Sequence, residues 1–371
     1  MNVILDANLL VADFHLSGKD FRLLWSEASR IPADIFLPRV AFDETVNKYR
    51  ERLEKQLSVS TKHAKMLGHL LNRDLAPCLP PSSLQRLVLD YESELQSTLT
   101  KRRVKVLPYP SVSHQKMVQR DLARMKPFRP GGAGYRDALI WESLVSFCHA
   151  HTASTVVFVT LNKRDFGSGP DFAVELATEL TDRQIDPQKM QVCCGLDKFN
   201  RLFIIPRLEV LPTSTDRLVA IGLPSFDIQR WFAEQGATIL EAEDLGLFCL
   251  GFEPEHGSVI LRSVDQVRKI NVLDVRRLTS GEILITAEAE LDLVLSVSAS
   301  GRDWERSDAV REFFGPGGFE SAFAYYPSTI RIRVSVFVST ETGGVAAAKL
   351  DVIEGDAVTI EAGLSPDADA F

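Results

Sequence analysis

Short apolar runs alternate with helical patterns through the first half of the chain, and that alternation restricts the fold more than any other feature. The runs are residues 2–5 (Asn-Val-Ile-Leu), 35–38, 104–107, 155–160 and 202–205. They are short, continuous and rich in Val, Ile, Leu and Phe, as strands buried on both faces are. Between them, apolar positions recur at helical spacing over residues 21–30, 42–57, 61–71, 84–99, 135–149 and 171–181. Strands that alternate with helices predict a parallel sheet with helices on both faces and right-handed connections. Residues 52–100 are more than one crossover needs. They predict a helical insertion, interrupted at Pro77, Pro80 and Pro81, where a helix cannot continue.

Beyond residue 213 the texture changes. One helix is expected over 226–235, capped by Ser225. Strand-like runs follow at 247–252, 258–263, 270–275, 282–298, 329–339 and 349–361, and residues 365–371 read as a frayed acidic tail. Ile330-Arg331-Ile332-Arg333-Val334-Ser335-Val336 alternates in polarity, which predicts one buried and one wet face. These features indicate a mostly antiparallel β (α+β) domain. Charge divides at the same place. Residues 1–212 hold 29 Lys and Arg against 24 Asp and Glu, a net +5, while residues 213–371 hold 13 against 26, a net −13. With Pro206, Pro212, Thr213, Ser214 and Thr215 as linker chemistry, two domains are expected, 1–212 and 213–371.

Several classes fall away on composition. No run approaches the ~18 apolar residues of a membrane helix. The start, Met1 and then Val3-Ile4-Leu5-Asp6, lacks the basic region and cleavage site of a secretory leader. The five cysteines, at 78, 148, 193, 194 and 249, form neither a disulfide framework nor a zinc pattern, and a reduced, cytoplasmic protein is expected. Lys101, Arg102, Arg103, Lys105, Lys116, Arg120, Arg124 and Lys126 crowd one stretch against Asp121 alone. That is either a footprint for a polyanion or a solvated helix face.

The informative chemistry is acidic. Ligands of an open parallel sheet bind beyond the C-terminal ends of its strands. Asp6 directly follows the first strand, and Glu44 closely follows the second. Asp137 opens the helix Tyr135-Arg136-Asp137-Ala138, and Asp165 follows the fourth strand in Thr160-Leu161-Asn162-Lys163-Arg164-Asp165. Taken singly, each has an ordinary role as a turn residue, helix cap or surface acid. Together they would converge on one rim, where like charges raise each other's pKa or require a cation. Hard oxygen ligands without nearby His or Cys suit Mg²⁺ or Mn²⁺, ions that activate water against a phosphodiester.

Ile4-Leu5-Asp6-Ala7-Asn8, the Glu44 helix, the Tyr135–Ala138 block and Val159–Phe166 resemble PIN-domain nucleases in order and placement, over about residues 1–212. The resemblance implies a PIN-like α/β/α sandwich with a central parallel sheet, and a Mg²⁺- or Mn²⁺-dependent endoribonuclease acting on single-stranded RNA. By carry-over, Asp6, Glu44, Asp137 and Asp165 hold metal and orient water. Asn8, Thr160 and Asn162 support them by hydrogen bonding. Lys163 and Arg164, with Arg102, Arg103 and Lys105 from the basic stretch, contact phosphate. Asp43 is an alternative to Glu44 about 100° away on the helix, and Asp171 is expected to cap the helix after it. The glycines of Arg129-Pro130-Gly131-Gly132-Ala133-Gly134 form either a phosphate-facing turn or a flexible link.

Two other readings stand beside this one. A haloacid-dehalogenase-like phosphatase also begins strand-Asp but needs a second Asp where this chain has Asn8. Alternatively, the first domain is a non-catalytic scaffold and the acidic second domain binds a protein partner or ligand. Long strands in that domain would pair between chains, so a homodimer is an expectation as well.

Overall fold

The computed structural model describes residues 1–28, 33–75, 79, 83–129, 133–213, 228–236, 258–300, 305, 321–339 and 345–356. It divides into two compact units, Met1–Arg207 and Leu208–Phe371. In chain order the first unit contains β1 (Asn2–Leu5), α1 (Ala7–Ala12), α2 (Lys19–Glu27), β2 (Asp34–Pro38), α3 (Arg39–Leu70) and α4 (Leu84–Lys101). It continues with β3 (Lys105–Leu107), α5 (His114–Leu122), α6 (Tyr135–Ala150), β4 (Val156–Thr160), α7 (Lys163–Phe166), α8 (Val174–Asp182), β5 (Met190–Cys194) and α9 (Leu196–Phe199).

The five strands form one parallel sheet in the order β3-β2-β1-β4-β5, flanked by helices. Every residue of β1 and β4 is buried, which is why their sequences carry no polar alternation. From β1 the chain winds toward β2 and β3. From β4 it winds the other way, to β5. The order therefore reverses between β1 and β4, and connections that diverge there leave a crevice at the strands' C-terminal ends.

Two expectations about this unit are corrected. Residues 202–205 are not a strand. Asn200–Ile204 is a helical turn with Asn200 and Ile204 buried and Leu202 exposed, and the fifth strand is Met190–Cys194. Both segments are short and apolar, so local pattern does not separate them. Pairing to β4, Val156↔Met190 through Thr160↔Cys194, does. The helices expected at 42–57 and 61–71 are one helix, Arg39–Leu70, because the Ser58-Val59-Ser60 stretch between them contains no residue that breaks a helix. The helical insertion is the distal part of α3 with α4. Tyr49 stacks on Tyr91 at 3.9 Å between ring centres, and Tyr91 Oη donates to the Phe14 carbonyl at 3.0 Å. Pro77, Pro80 and Pro81 lie outside the described residues.

The second unit carries a separate antiparallel sheet in the order β10-β9-β8-β7-β6. Its strands are β6 (Glu209–Val210), β7 (Ser258–Arg277), β8 (Ile283–Ser300), β9 (Ser321–Val338) and β10 (Val345–Asp356). The runs at 258–263 and 270–275 belong to one 20-residue strand. Register shifts such as Leu261/Ser263 and Val267/Lys269 carry it through its charged middle, where one extra residue bends the strand without ending it. Trp231 and Phe232, on the helical segments Ile228–Trp231 and Phe232–Gly236, belong to the same buried core as the alternate residues Leu291, Leu293, Ile330 and Ile332. The alternation of β9 gives the expected two faces only through Val334. Beyond it, Ser335 and Phe337 are buried as well. Ser225, residues 247–252 and the tail 365–371 lie outside the described residues. No helix among the described residues is long and apolar enough to cross a membrane.

Candidate active site

Asp6 occupies the reversal point. It leaves β1 in extended geometry and caps α1, its Oδ1 accepting the Ala7 N–H at 2.7 Å. Its Oδ2 accepts from Asn8 Nδ2 at 2.7 Å and from Thr160 Oγ1 at 2.5 Å, at the end of β4. The Thr160 hydroxyl in turn accepts from the Asn162 N–H at 2.9 Å and from Asn8 Nδ2 at 3.0 Å, while Asn8 Oδ1 accepts the Leu161 N–H at 3.0 Å. This network fastens the C-terminal ends of β1 and β4 together across the crevice.

Around this anchor stand two more acids. Glu44 lies in the second turn of α3, and Asp137 in the first turn of α6. Burial, partly offset by the Thr160 bond and reinforced by the charges of Asp137 and Glu44, pushes the Asp6 carboxyl up to about 7. Burial also raises Glu44, with Arg136 opposing and Asp137 reinforcing. Asp137 is raised by burial against the opposing pull of Arg129 and the Asn162 bond. Burial is thus the largest cause for all three, and the charge of Asp137 adds to it at both Asp6 and Glu44. Asp43, the alternative to Glu44, is otherwise engaged: it accepts from Arg39 Nε at 2.8 Å and from Tyr109 Oη at 2.5 Å.

Asp165 differs from the other three. It is buried, and Arg129 grips both of its oxygens, Nε meeting Oδ1 at 2.8 Å and Nη2 bonding Oδ2. Asn162 Nδ2 adds a bond at 2.7 Å and reaches Asp137 Oδ1 at 3.3 Å, so one amide links the two acids. The four acids therefore stand in different surroundings: Asp165 is held on both oxygens by Arg129, Glu44 pairs with Arg136 on one side, and Asp6 and Asp137 are held by hydrogen bonds. Among the described residues, no three His, Cys, Asp or Glu side chains converge closely enough to grip a metal ion. The donor chemistry still fits a hard divalent cation: three carboxylates at a sheet's reversal point, each raised chiefly by burial.

Sequence reasoning passed over Arg129 and Arg136. The second pairs with Glu44 at 3.1 Å. The available signal was two arginines ahead of Asp137, one of them adjacent to it, which local sequence cannot distinguish from surface charge. Lys163 and Arg164 are exposed on α7, beside Asp165, with no ion pair to them among the described residues. Arg102, Arg103 and Lys105 are placed elsewhere. Lys105 opens β3 and pairs with Asp34 at the opening of β2 at 3.1 Å, so all three sit at the N-terminal end of the parallel sheet, opposite the acids. Much of the basic stretch is also neutralised: Lys116 by Glu142, Arg120 by Glu179, Arg124 by Asp121 and Lys126 by Glu175. Asp171 does not cap α8, which begins at Val174 with Ala173 in the capping position.

A stability prediction follows from Asp6. With its carboxyl raised from 3.8 to about 7, the folded state retains a proton that the unfolded chain releases. The group's contribution is greatest at low pH and is lost as pH rises toward 7. In chelator, the first unit is expected to lose about 2 kcal/mol through this group between pH 5.5 and pH 8. Denaturant titration at the two pH values checks it, and Asp6→Asn should remove the difference. An unchanged difference in that variant assigns the pH dependence to other groups.

Comparison with known families agrees with this geometry. The family model for the PIN domain matches residues 3–166, which span β1 through α7 and include Asp6, Glu44, Asp137 and Asp165. No curated protein and no solved structure gives a match. Members of this family are usually metal-dependent nucleases. The parallel sheet reversing at β1 and β4, the acids at its C-terminal rim and the family match together make residues 3–166 of this chain a PIN domain.

Proposed function

We propose that this chain is a cytoplasmic Mg²⁺- or Mn²⁺-dependent endoribonuclease that hydrolyses phosphodiester bonds in single-stranded RNA. The observation that carries the reading is the gathering of Asp6, Glu44 and Asp137, three carboxyls raised chiefly by burial, at the point where the sheet order reverses. A structural role does not require three carboxylates to share one field at a cost to each. A cation between them relieves that cost. In this reading Asp6, Glu44 and Asp137 hold the ion, which supplies charge neutralisation and water activation at a phosphodiester.

The chain's own residues do the positioning. Thr160 and Asn8 fix the Asp6 carboxylate from two directions, so its orientation is set before any ligand arrives. Asn162 holds Asp137 by the same principle. Lys163 and Arg164, exposed at the rim, are free to meet phosphates of an extended strand. A single strand suits the rim because its backbone can bend into a crevice that a duplex would bridge. Cys148, Cys193 and Cys194 are buried free thiols, in keeping with a reducing compartment. The second unit, net −13 over residues 213–371, takes no part in holding RNA here.

The test is cleavage of a mixed-sequence single-stranded RNA by the purified full chain with Mn²⁺, Mg²⁺ or chelator, beside the matching DNA. Cutting of RNA that requires a divalent ion and stops in chelator is expected. Equal cutting of DNA would overturn the RNA assignment. Absence of cutting in every ion, in a folded sample, would overturn the catalytic reading in favour of the scaffold.

A further inference from the structure

Asp165 and Arg129 form a unit distinct from the other three acids. Arg129 binds Asp165 through its side-on edge, Nε and Nη2. The end-on edge, which carries Nη1, makes no bond among the described residues, and the Arg129 side chain is 34% exposed while that of Asp165 is 4% exposed. A guanidinium has five N–H donors in a planar fork, and spending two on a carboxylate leaves an edge suited to a second planar or tetrahedral anion.

The position of that edge is built from below. The segment bearing Arg129 closes on itself, its N–H donating to the Ala133 carbonyl at 2.8 Å. Gly134 follows at φ +104°, where a Cβ would stand 2.4 Å from the Pro127 carbonyl oxygen, so only glycine allows the closure. Arg120, buried in its pair with Glu179, donates to the Lys126 carbonyl at 3.0 Å and pins the entry to the segment. The same segment leads directly into Asp137. Asn162, bonded to both Asp165 and Asp137, links the arginine unit to the acid set.

We propose that Arg129 binds the substrate phosphate through its end-on edge, and that Asp165 is a positioning residue that orients Arg129 rather than a metal ligand alongside Asp6, Glu44 and Asp137. This rests on the reading of those three acids as a metal-dependent phosphodiesterase centre. It assigns the substrate-binding cation of the site to a residue that neither the basic stretch nor the strand-end motif singled out.

The experiment measures Mn²⁺ binding by electron paramagnetic resonance and, separately, binding of a labelled single-stranded RNA in chelator across a salt series. It uses the full chain and the variants Arg129→Ala, Arg129→Lys, Asp165→Asn and Asp137→Asn, each first checked for a native thermal transition. Arg129→Ala is expected to weaken RNA binding about 10-fold and to flatten the log–log salt slope by about 0.7, the share of one phosphate contact. Arg129→Lys should recover the slope but not the affinity, because a point charge lacks the fork. Asp165→Asn should likewise weaken RNA binding while leaving Mn²⁺ affinity within about 3-fold, whereas Asp137→Asn should lose Mn²⁺. Unchanged RNA affinity in Arg129→Ala would overturn the phosphate assignment. A loss of Mn²⁺ in Asp165→Asn equal to that in Asp137→Asn would overturn the positioning role. Neither readout uses turnover, so an inactive wild type that still binds RNA through Arg129 would separate failure of the nuclease reading from failure of this one.

Discussion

Asp137→Asn is expected to lower divalent-dependent RNA cleavage by at least about 10²–10³-fold, the scale of removing one preorganised electrostatic group from an active centre. The substitution keeps shape and removes one charge. Asp137 accepts from Asn162 at 3.3 Å, and the amide oxygen of asparagine accepts the same bond. The variant loses the favourable placement of an acid in the first turn of α6, worth about 0.3–1 kcal/mol. It gains relief from repulsion with Asp6 and Glu44. These opposite terms should leave the melting temperature almost unchanged. A rate assay in saturating Mn²⁺ beside thermal denaturation in chelator checks both halves. Near-normal cleavage with an intact fold would remove Asp137 from the site.

The second large effect lies in the core and not at the rim. Glu179 receives a bidentate grip from Arg120, at 2.7 and 2.6 Å, and the Trp141 indole N–H at 2.9 Å. Arg183 bonds Glu142 at 2.9 and 2.8 Å and also contacts Glu179, while Lys116 reaches Glu142 at 2.9 Å. Although burial works against it, the bonds from Arg183 and Lys116 hold the Glu142 carboxyl below its ordinary value. The network joins α5, α6 and α8. Glu179→Ala leaves the Arg120 guanidinium, 4% exposed, with only the more distant Glu142 at 3.7 Å as counter-charge and strands the indole donor. A cost of about 3–5 kcal/mol is expected, the usual penalty for breaking a buried pair from one side. In a domain stable by about 5–15 kcal/mol that is a large share. Replacing both partners with apolar residues should cost much less, since the desolvation penalty disappears with the pair. Amide exchange in β1 and β4 reads the first unit separately from the second. A loss of protection in Glu179→Ala below about 1 kcal/mol would show that water or Glu142 already shares the burden.

The reach of local sequence differs between backbone and side-chain chemistry. The strands of the parallel sheet at β1, β2 and β4 are legible because a run buried on both faces must be apolar throughout. β5 is not, because residues 202–205 and Met190–Cys194 are equally apolar and only pairing with β4 chooses between them. Likewise, the apparent gap between two strands at 263–270 is a chain of register shifts that only the neighbouring β8 reveals.

The positions of Asp6, Glu44, Asp137 and Asp165 at strand ends and helix starts were determined by sequence alone. A chain leaving the C-terminal end of a parallel strand has nowhere to put its next side chains but the rim. What tertiary structure decided is the charge each acid feels. Asp165 meets Arg129 from 36 positions away, while Lys116, Arg120 and Lys126 meet acids from 26 to 59 positions away, or across to α8. Electrostatic energy depends on distance in space and on burial, and neither is written in the order of residues.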